Sequence, residues 1–158
     1  MTMLRIDAGN GALIVAHLVR AWPEEGCGVL LGRDEADGSR TVTRALPIDN
    51  EHAGERGRRY LIAPGQFLDA EHAAREQGLD VVGFFHSHPD HPARPSAFDL
   101  EHAWPYYSYL IASVARGRVD AITCWRLAED RLRFEPEALE MPGTPAAPDL
   151  THEARSQE

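Results

Sequence analysis

Residues 85–100 read F-H-S-H-P-D-H-P-A-R-P-S-A-F-D-L. This stretch predicts the end of a strand, a loop and the start of a helix, with side chains that could form a metal site. The apolar run over residues 79–85 predicts a buried strand, and side chains two apart on a strand leave the same face. His86 and His88 are therefore predicted to point the same way. Pro89 lacks a backbone donor and restricts the residue before it, so we expect the strand to end there, beside a loop.

The second half of this stretch predicts the start of a helix. After the loop at residues 90–95, Ser96 and Asp99 have the Ser-x-x-acid spacing of a capping box, which places Asp99 in the first helical turn. Two imidazole nitrogens and one carboxylate oxygen suit zinc, and three protein ligands leave the fourth tetrahedral position to water. Each feature alone has a structural explanation, as a surface histidine pair or a helix cap. Their joint occurrence at fixed offsets favours a metal site.

The pattern H-S-H-P, six residues, then S-x-x-D resembles the signature of the JAMM (MPN+) metallopeptidases, with no gap or substitution. The resemblance implies that His86, His88 and Asp99 hold one Zn²⁺ ion per chain. The family also has an upstream glutamate in a context like P-x-E-x-C-G. Here residues 23–32 read P-E-E-G-C-G-V-L-L-G, and Glu25 is the matching position. With R-Y-L-I at residues 59–62 and W-P-Y-Y-S-Y-L-I at residues 104–111, the resemblance covers about residues 5–135.

The resemblance also assigns catalytic roles. A zinc ion lowers the pKa of its bound water, and Glu25 is the candidate general base that takes the proton and returns it to the leaving amine. Ser96 matches the serine that helps zinc to stabilise the oxyanion. Glu24 is a rival to Glu25, and spacing alone does not distinguish the two glutamates. The family pattern selects Glu25.

Three classes of function are open at this point. The resemblance to stand-alone bacterial members implies a zinc peptidase or isopeptidase that cuts after the C-terminal Gly-Gly of a ubiquitin-like or sulfur-carrier protein, with cysteine or sulfur metabolism as its setting. A second class is a non-catalytic MPN-type protein-binding module; such relatives lack ligands, and this chain lacks none. A third is another small-molecule zinc hydrolase, such as a deaminase, whose H-x-E and P-C-x-x-C patterns are absent.

Composition limits the partners. A chain of 158 residues is long enough for one domain with its own core. The formal net charge of -9 argues against a nucleic-acid partner. We expect no membrane partner and a cytoplasmic location, because there is no long apolar segment and no signal-peptide core. We interpret the basic cluster of Arg56, Arg58 and Arg59 as a solvated loop, with an acidic docking partner as the alternative. The oligomeric state is left open.

The hydrophobic pattern predicts a mixed α/β domain over residues 1–140. The predicted elements are helices at residues 13–21 and 64–77 and around Asp99, and strands at residues 27–31, 41–46, 79–88, 107–114, 121–127 and 132–135. The resemblance implies the JAMM/MPN architecture, which is cytidine-deaminase-like, with a curved mixed sheet flanked by helices. Residues 141–158 are proline-rich and charged, and we predict a disordered tail there.

Five further residues invite a functional interpretation. His91 and His102 are close enough in sequence to approach the metal, and we interpret them as neighbours of the site or surface residues. Asp90 is expected to be a solvated loop residue. Cys27 and Cys124 are the only cysteines; they permit one disulfide, but small buried thiols are more typical of such a chain. Neither has a basic neighbour that would favour a nucleophile.

Overall fold

The computed structural model describes residues 2–50 and 62–143. Predictions for the basic cluster, for most of the polar loop before residue 62 and for the tail from residue 144 onward lie outside the described residues. Within them the chain forms seven strands and three helices. In chain order these are β1 (Met3–Ile6), α1 (Ala8–Ala21), β2 (Cys27–Asp34), β3 (Arg40–Ile48), α2 (Pro64–Glu76), β4 (Asp80–Pro89), α3 (Ala97–His102), β5 (Ser108–Ala115), β6 (Arg118–Leu127) and β7 (Phe134–Glu140).

The strands form one mixed sheet in the order β1-β3-β2-β4-β5-β6-β7. The central strand β4 pairs antiparallel with β2 and parallel with β5. Strand β1 pairs in parallel with both β3 and β7, so the two ends of this order meet. The prediction of a mixed α/β fold is confirmed. Sequence reasoning missed β1, because four residues are too short to show a period.

The last strand lies later in the chain than predicted. The prediction of a strand at residues 132–135 is wrong for its first two residues, and β7 runs on to Glu140. Arg131 has a positive φ of 64°, and the Asp130 carboxylate accepts the Leu132 N–H at 2.9 Å. This turn prevents an earlier start of the strand.

Helices α1 and α2 pack against different parts of the sheet. Ile14 and Leu18 of α1 are fully buried in a cluster with residues of β1, β2, β4, β5 and β6. Ala70 and Ala74 of α2 belong to a second cluster that contains Phe84 of β4. Helix α1 starts earlier than predicted because the Asp7 side chain caps it by accepting the Asn10 N–H. No helix in the described ranges is long and apolar enough to cross a lipid bilayer.

The pairing of β2 with β4 places the start of β2 beside the histidines. Cys27 lies opposite His86, and Gly28 lies opposite Phe85. A Cβ atom at residue 28 would lie 2.0 Å from Cζ of Phe85. Glycine is therefore required there, because the Phe85 ring lies across the strand at this point.

Candidate metal centre

The two histidines of the H-S-H-P pattern lie together at the carboxyl end of β4. His86 is 1 % exposed and His88 is 2 % exposed. Their Nε2 atoms are 3.2 Å apart, so the structure places both rings on one face of the strand. Ser87 points to the other face, where its Oγ accepts the Gly26 N–H at 2.9 Å.

Helix α3 brings the carboxylate of Asp99 to the same place. Ser96 is the N-cap: its Oγ accepts the Asp99 N–H at 3.1 Å, and Asp99 Oδ2 accepts the Ser96 N–H at 2.8 Å. Asp99 Oδ1 lies 3.3 Å from His86 Nε2, and Oδ2 lies 3.1 Å from His88 Nε2. The capping box and the convergence of Asp99 on the histidines therefore exist together, and one does not exclude the other.

The donor atoms are arranged as a cation requires. His88 Nδ1 lies 2.8 Å from the Pro92 carbonyl oxygen, which only accepts hydrogen bonds, so Nδ1 carries a proton and, in the neutral ring, Nε2 presents a lone pair. That lone pair faces the carboxylate of Asp99, an arrangement that a shared cation stabilises. Donor atoms in a tetrahedral zinc site with bonds of 2.0–2.1 Å are about 3.3 Å apart. The separations of 3.1–3.3 Å fit that geometry.

Electrostatics keep the Asp99 carboxylate charged. Burial by itself raises the pKa of Asp99, but the electrostatic attraction and close approach of the His86 and His88 rings and the hydrogen bond from the Ser96 backbone outweigh burial. The net effect holds the pKa of Asp99 well below its usual range. An ionised carboxylate between two imidazoles is a suitable ligand set for a divalent metal.

A second carboxylate, that of Glu25, reaches the same histidines from the segment before β2. Glu25 is 3 % exposed, and its carboxylate and the ring nitrogens of His86 and His88 all lie within 4.8 Å of one another. The Ser87 N–H donates to the Gly26 carbonyl at 3.0 Å, which ties this segment to β4. Glu24 is exposed, so the structure separates the two glutamates. The positions alone allow either Glu25 or Asp99 to be the third metal ligand.

An apolar cavity of about 740 Å³ opens beside His86 and Asp99. This volume lies in the range of small-molecule and cofactor pockets. Aromatic side chains from α2, β4, α3, β5, β7 and the segment before β5 line it: Phe67, Phe84, Phe98, Trp104, Tyr106, Tyr107, Tyr109 and Phe134. Sequence reasoning missed this cavity, because its lining comes from elements that are distant in the chain.

The neighbouring histidines and Asp90 have defined contacts. The His91 ring packs edge-on against His88, with ring centroids 4.4 Å apart, and His102 stacks on Phe98 and lines the cavity. Asp90 is exposed but is not simply solvated: Oδ1 accepts the Arg116 N–H at 2.8 Å and Oδ2 accepts the Trp22 Nε1–H at 3.2 Å. Asp90 is therefore the exposed loop residue that the sequence predicted, with two hydrogen bonds that the sequence did not indicate. Its positive φ of 57° marks a tight turn whose side chain bonds back to the protein.

Both cysteines are free and buried, which confirms that they are small buried groups and not a disulfide. Burial, followed by the charges of Glu25 and Asp49, raises the pKa of Cys27 to about 12. Burial and the neighbouring Glu137 raise the pKa of Cys124 well above its usual value. Because the thiolate is the reactive form, neither cysteine suits a nucleophile at neutral pH.

Comparison with known proteins agrees with this geometry. The family described as prokaryotic homologs of the JAB domain matches residues 11–128. The chain is 46% identical to the desampylase of Haloferax volcanii over 92 residues, which are 58% of this chain and 63% of that relative. It is 29% identical to the CysO-cysteine peptidase of Mycobacterium tuberculosis over 135 residues, which are 85% of this chain and 88% of that relative.

Among solved structures, the solution structure of a protein from Salinibacter ruber superposes with a TM-score of 0.69 at 43% identity. The match covers 91% of this chain and 96% of that one. The family match spans most of the chain and includes β4, α3 and the segment that holds Glu25. The chain therefore belongs to the prokaryotic homologs of the JAB domain, and its resemblance to the JAMM (MPN+) type is confirmed.

Proposed function

We propose that this protein is a zinc-dependent peptidase or isopeptidase that hydrolyses the bond after the C-terminal Gly-Gly of a ubiquitin-like or sulfur-carrier protein. One observation carries the proposal: two histidines and two carboxylates, all buried, converge at the edge of an apolar cavity. The similarity to a desampylase and to a CysO-cysteine peptidase supports the substrate class.

In this proposal His86, His88 and Asp99 hold the metal, one ion per chain. A zinc ion bound there would lower the pKa of a bound water and polarise the carbonyl that is attacked. The remaining chemistry belongs to the chain. In the proposal Glu25 takes a proton from the attacking water and returns it to the leaving amine; its burial within 4.8 Å of the two histidines supports this role.

The hydroxyl of Ser96 can supply a donor for the oxyanion. Its Oγ uses a lone pair to accept the Asp99 N–H, which leaves the hydroxyl hydrogen available to donate. Ser96 is exposed, so a substrate can reach it. A capping role and a role in stabilising the oxyanion are therefore compatible.

The site also gives a physical reason for a Gly-Gly end. Residues without a side chain let the substrate backbone pass close to a buried metal. Apolar side chains next to the glycines would fill the aromatic cavity beside His86, where they are removed from water. We further infer that the fold is cytidine-deaminase-like and that the protein works in the cytoplasm.

A non-catalytic binding module is the main alternative. Its relatives lack metal ligands, whereas the residues that match the ligand set are complete here and their donor atoms converge. Another small-molecule zinc hydrolase is less well supported, because Cys124 lies against Glu137 and is not among the residues at the site.

The test uses a sulfur-carrier protein that ends in Gly-Gly, fused at that end to a short fluorescent peptide. We expect the purified chain to contain one zinc ion and to cut after the second glycine. A chelator should stop cleavage, and added zinc should restore it. A matched substrate ending in Val-Val should be cut much more slowly. The proposal would be contradicted by cleavage that continues after complete removal of metal, or by equally fast cleavage of the Gly-Gly and Val-Val substrates.

A further inference from the structure

The loop at residues 90–95 joins the histidine strand β4 to helix α3. Side chains from three strands form hydrogen bonds to three consecutive carbonyl groups of this loop. The His91 carbonyl accepts the Ser113 hydroxyl of β5 at 2.7 Å. The Pro92 carbonyl pairs with His88 Nδ1 of β4 at 2.8 Å. The Ala93 carbonyl accepts the Thr123 hydroxyl of β6 at 2.6 Å. The middle bond of the three is the one that reaches a proposed zinc ligand.

The two outer bonds come from buried side chains and have a fixed direction, because a carbonyl only accepts. Ser113 is 5 % exposed and Thr123 is 2 % exposed. The Trp125 Nε1–H donates to Thr123 Oγ1 at 2.8 Å. Because an indole N–H only donates, Thr123 accepts from Trp125 and must donate its own hydrogen to Ala93. Buried bonds of this kind restrict a loop more than solvated bonds do.

The position of the Pro92 carbonyl controls the ring of His88. The carbonyl fixes a proton on Nδ1, so that in the neutral ring the lone pair is on Nε2, the nitrogen that faces Asp99. With the carbonyls on both sides held by hydroxyls, the peptide groups next to Pro92 cannot rotate freely. Neither Ser113 nor Thr123 is among the residues whose donor atoms converge at the centre.

We propose that Ser113 and Thr123 are positioning residues for His88. They hold the loop so that the Pro92 carbonyl keeps His88 in the Nδ1–H form with Nε2 directed at the metal. The proposal rests on the proposed function in one respect, namely that His88 binds zinc. Loss of groups that orient metal ligands typically weakens metal binding by about 10–100-fold.

The test measures zinc affinity of the whole chain by competition with a coloured chelator. Thr123→Val removes the hydroxyl and keeps the side-chain shape, and we expect it to weaken zinc binding by about 10–100-fold. Thr123→Ser restores a hydroxyl and should bind zinc almost as the native chain does. Ser113→Ala tests the other side of the loop and should act in the same direction. The control is Thr43→Val, at an exposed position of β3.

Thr123→Val also leaves the Trp125 N–H without its acceptor. Trp125→Phe separates the loss of this bond from the loss of the bond to the Ala93 carbonyl. It removes that donor but keeps the bond from Thr123 to Ala93, so zinc affinity should stay near the native value. If Trp125→Phe weakens zinc binding as much as Thr123→Val does, the effect comes from packing and the proposal fails.

A second readout does not depend on zinc. Proton–nitrogen spectra of the histidine rings show which nitrogen of His88 carries the proton. We expect a slowly exchanging Nδ1–H in the native chain, with or without zinc, and a mixture of tautomers in Thr123→Val and Ser113→Ala. A purely structural role would lower the melting temperature and leave the tautomer unchanged.

The outcomes separate this inference from the proposed function. If the native chain binds zinc and both hydroxyl variants bind it equally well with an unchanged tautomer, the positioning role is overturned. If the native chain binds no zinc, the proposed function fails, and the tautomer spectra still decide whether the loop orients His88. If Thr123→Val does not fold, Ser113→Ala carries the test.

Discussion

Replacing Gly28 by alanine should damage both the stability and the site, because Gly28 lies between two atoms that cannot easily move. A Cβ there would lie 2.0 Å from Cζ of Phe85 and 2.5 Å from the carbonyl oxygen of Leu46. Phe85 is completely buried, so its ring has no free space to enter. The Leu46 oxygen belongs to the backbone of the paired strand β3. Strands β2, β3 and β4 must therefore separate or shift.

The size of the effect follows from these contacts. Overpacking a core typically destabilises a protein by about 1–3 kcal/mol, and a clash with both a buried ring and a backbone oxygen places Gly28→Ala near the upper end. For a domain of this length, about 3 kcal/mol lowers the melting temperature by roughly 6–12 °C. Glu25, the proposed general base, lies just before β2, and a displacement of about 1 Å at such a group can lower kcat by roughly 100-fold.

The assay is thermal denaturation together with kcat on the Gly-Gly fusion. Gly65→Ala in α2 is the matched control: no atom of the described residues lies within 4 Å of the added Cβ, so it should be neutral or stabilising by up to about 1 kcal/mol. Gly28→Ala should cost less stability in a Phe85→Leu background than in the native chain, since only the contact with Leu46 remains. A native melting temperature for Gly28→Ala would refute this reasoning.

Three further predictions concern separate parts of the molecule. With a pKa of about 12, the thiolate fraction of Cys27 at pH 8 is only about one part in 10⁴, whereas that of a free cysteine is roughly a quarter. The native protein should therefore react very slowly with a thiol reagent, and the unfolded protein should react rapidly. Arg40→Met leaves the Val82 carbonyl and the Ser108 hydroxyl without their donor, and denaturant titration should show a loss of about 2–4 kcal/mol. Asp99→Asn removes the charge of a proposed ligand and should weaken zinc binding by more than about 100-fold, as chelator competition would show; native affinity would make Glu25 the ligand instead.

The parts of the site that sequence could predict are local. The two-residue period of a strand relates His86 to His88, and the Ser-x-x-acid spacing relates Ser96 to Asp99. Both relations depend on a few consecutive residues, and the structure shows the convergence and the cap. The choice of Glu25 over Glu24 needed the family pattern, because neither residue has a local signal that distinguishes it.

The remaining features depend on contacts between distant residues. The aromatic cavity is assembled from five elements and the segment before β5, and no single run of sequence contains its pattern. The bonds from Ser113 and Thr123 to the loop span 22 and 30 residues. Their only signal in the sequence is a hydroxyl residue with an apolar residue on each side within a strand. The bond between Asp90 and Trp22 could not be predicted for the same reason, since the two residues lie 68 positions apart.

The most direct test of the proposed chemistry compares Glu25→Gln with Glu24→Gln, its exposed neighbour. Zinc content and cleavage of the Gly-Gly fusion are measured on both variants and on the native chain. We expect Glu25→Gln to keep one zinc ion per chain and to lose cleavage, while Glu24→Gln keeps both, because only Glu25 is buried beside the histidines. Undiminished cleavage by Glu25→Gln, or loss of zinc from it, would contradict the role of Glu25 as the general base.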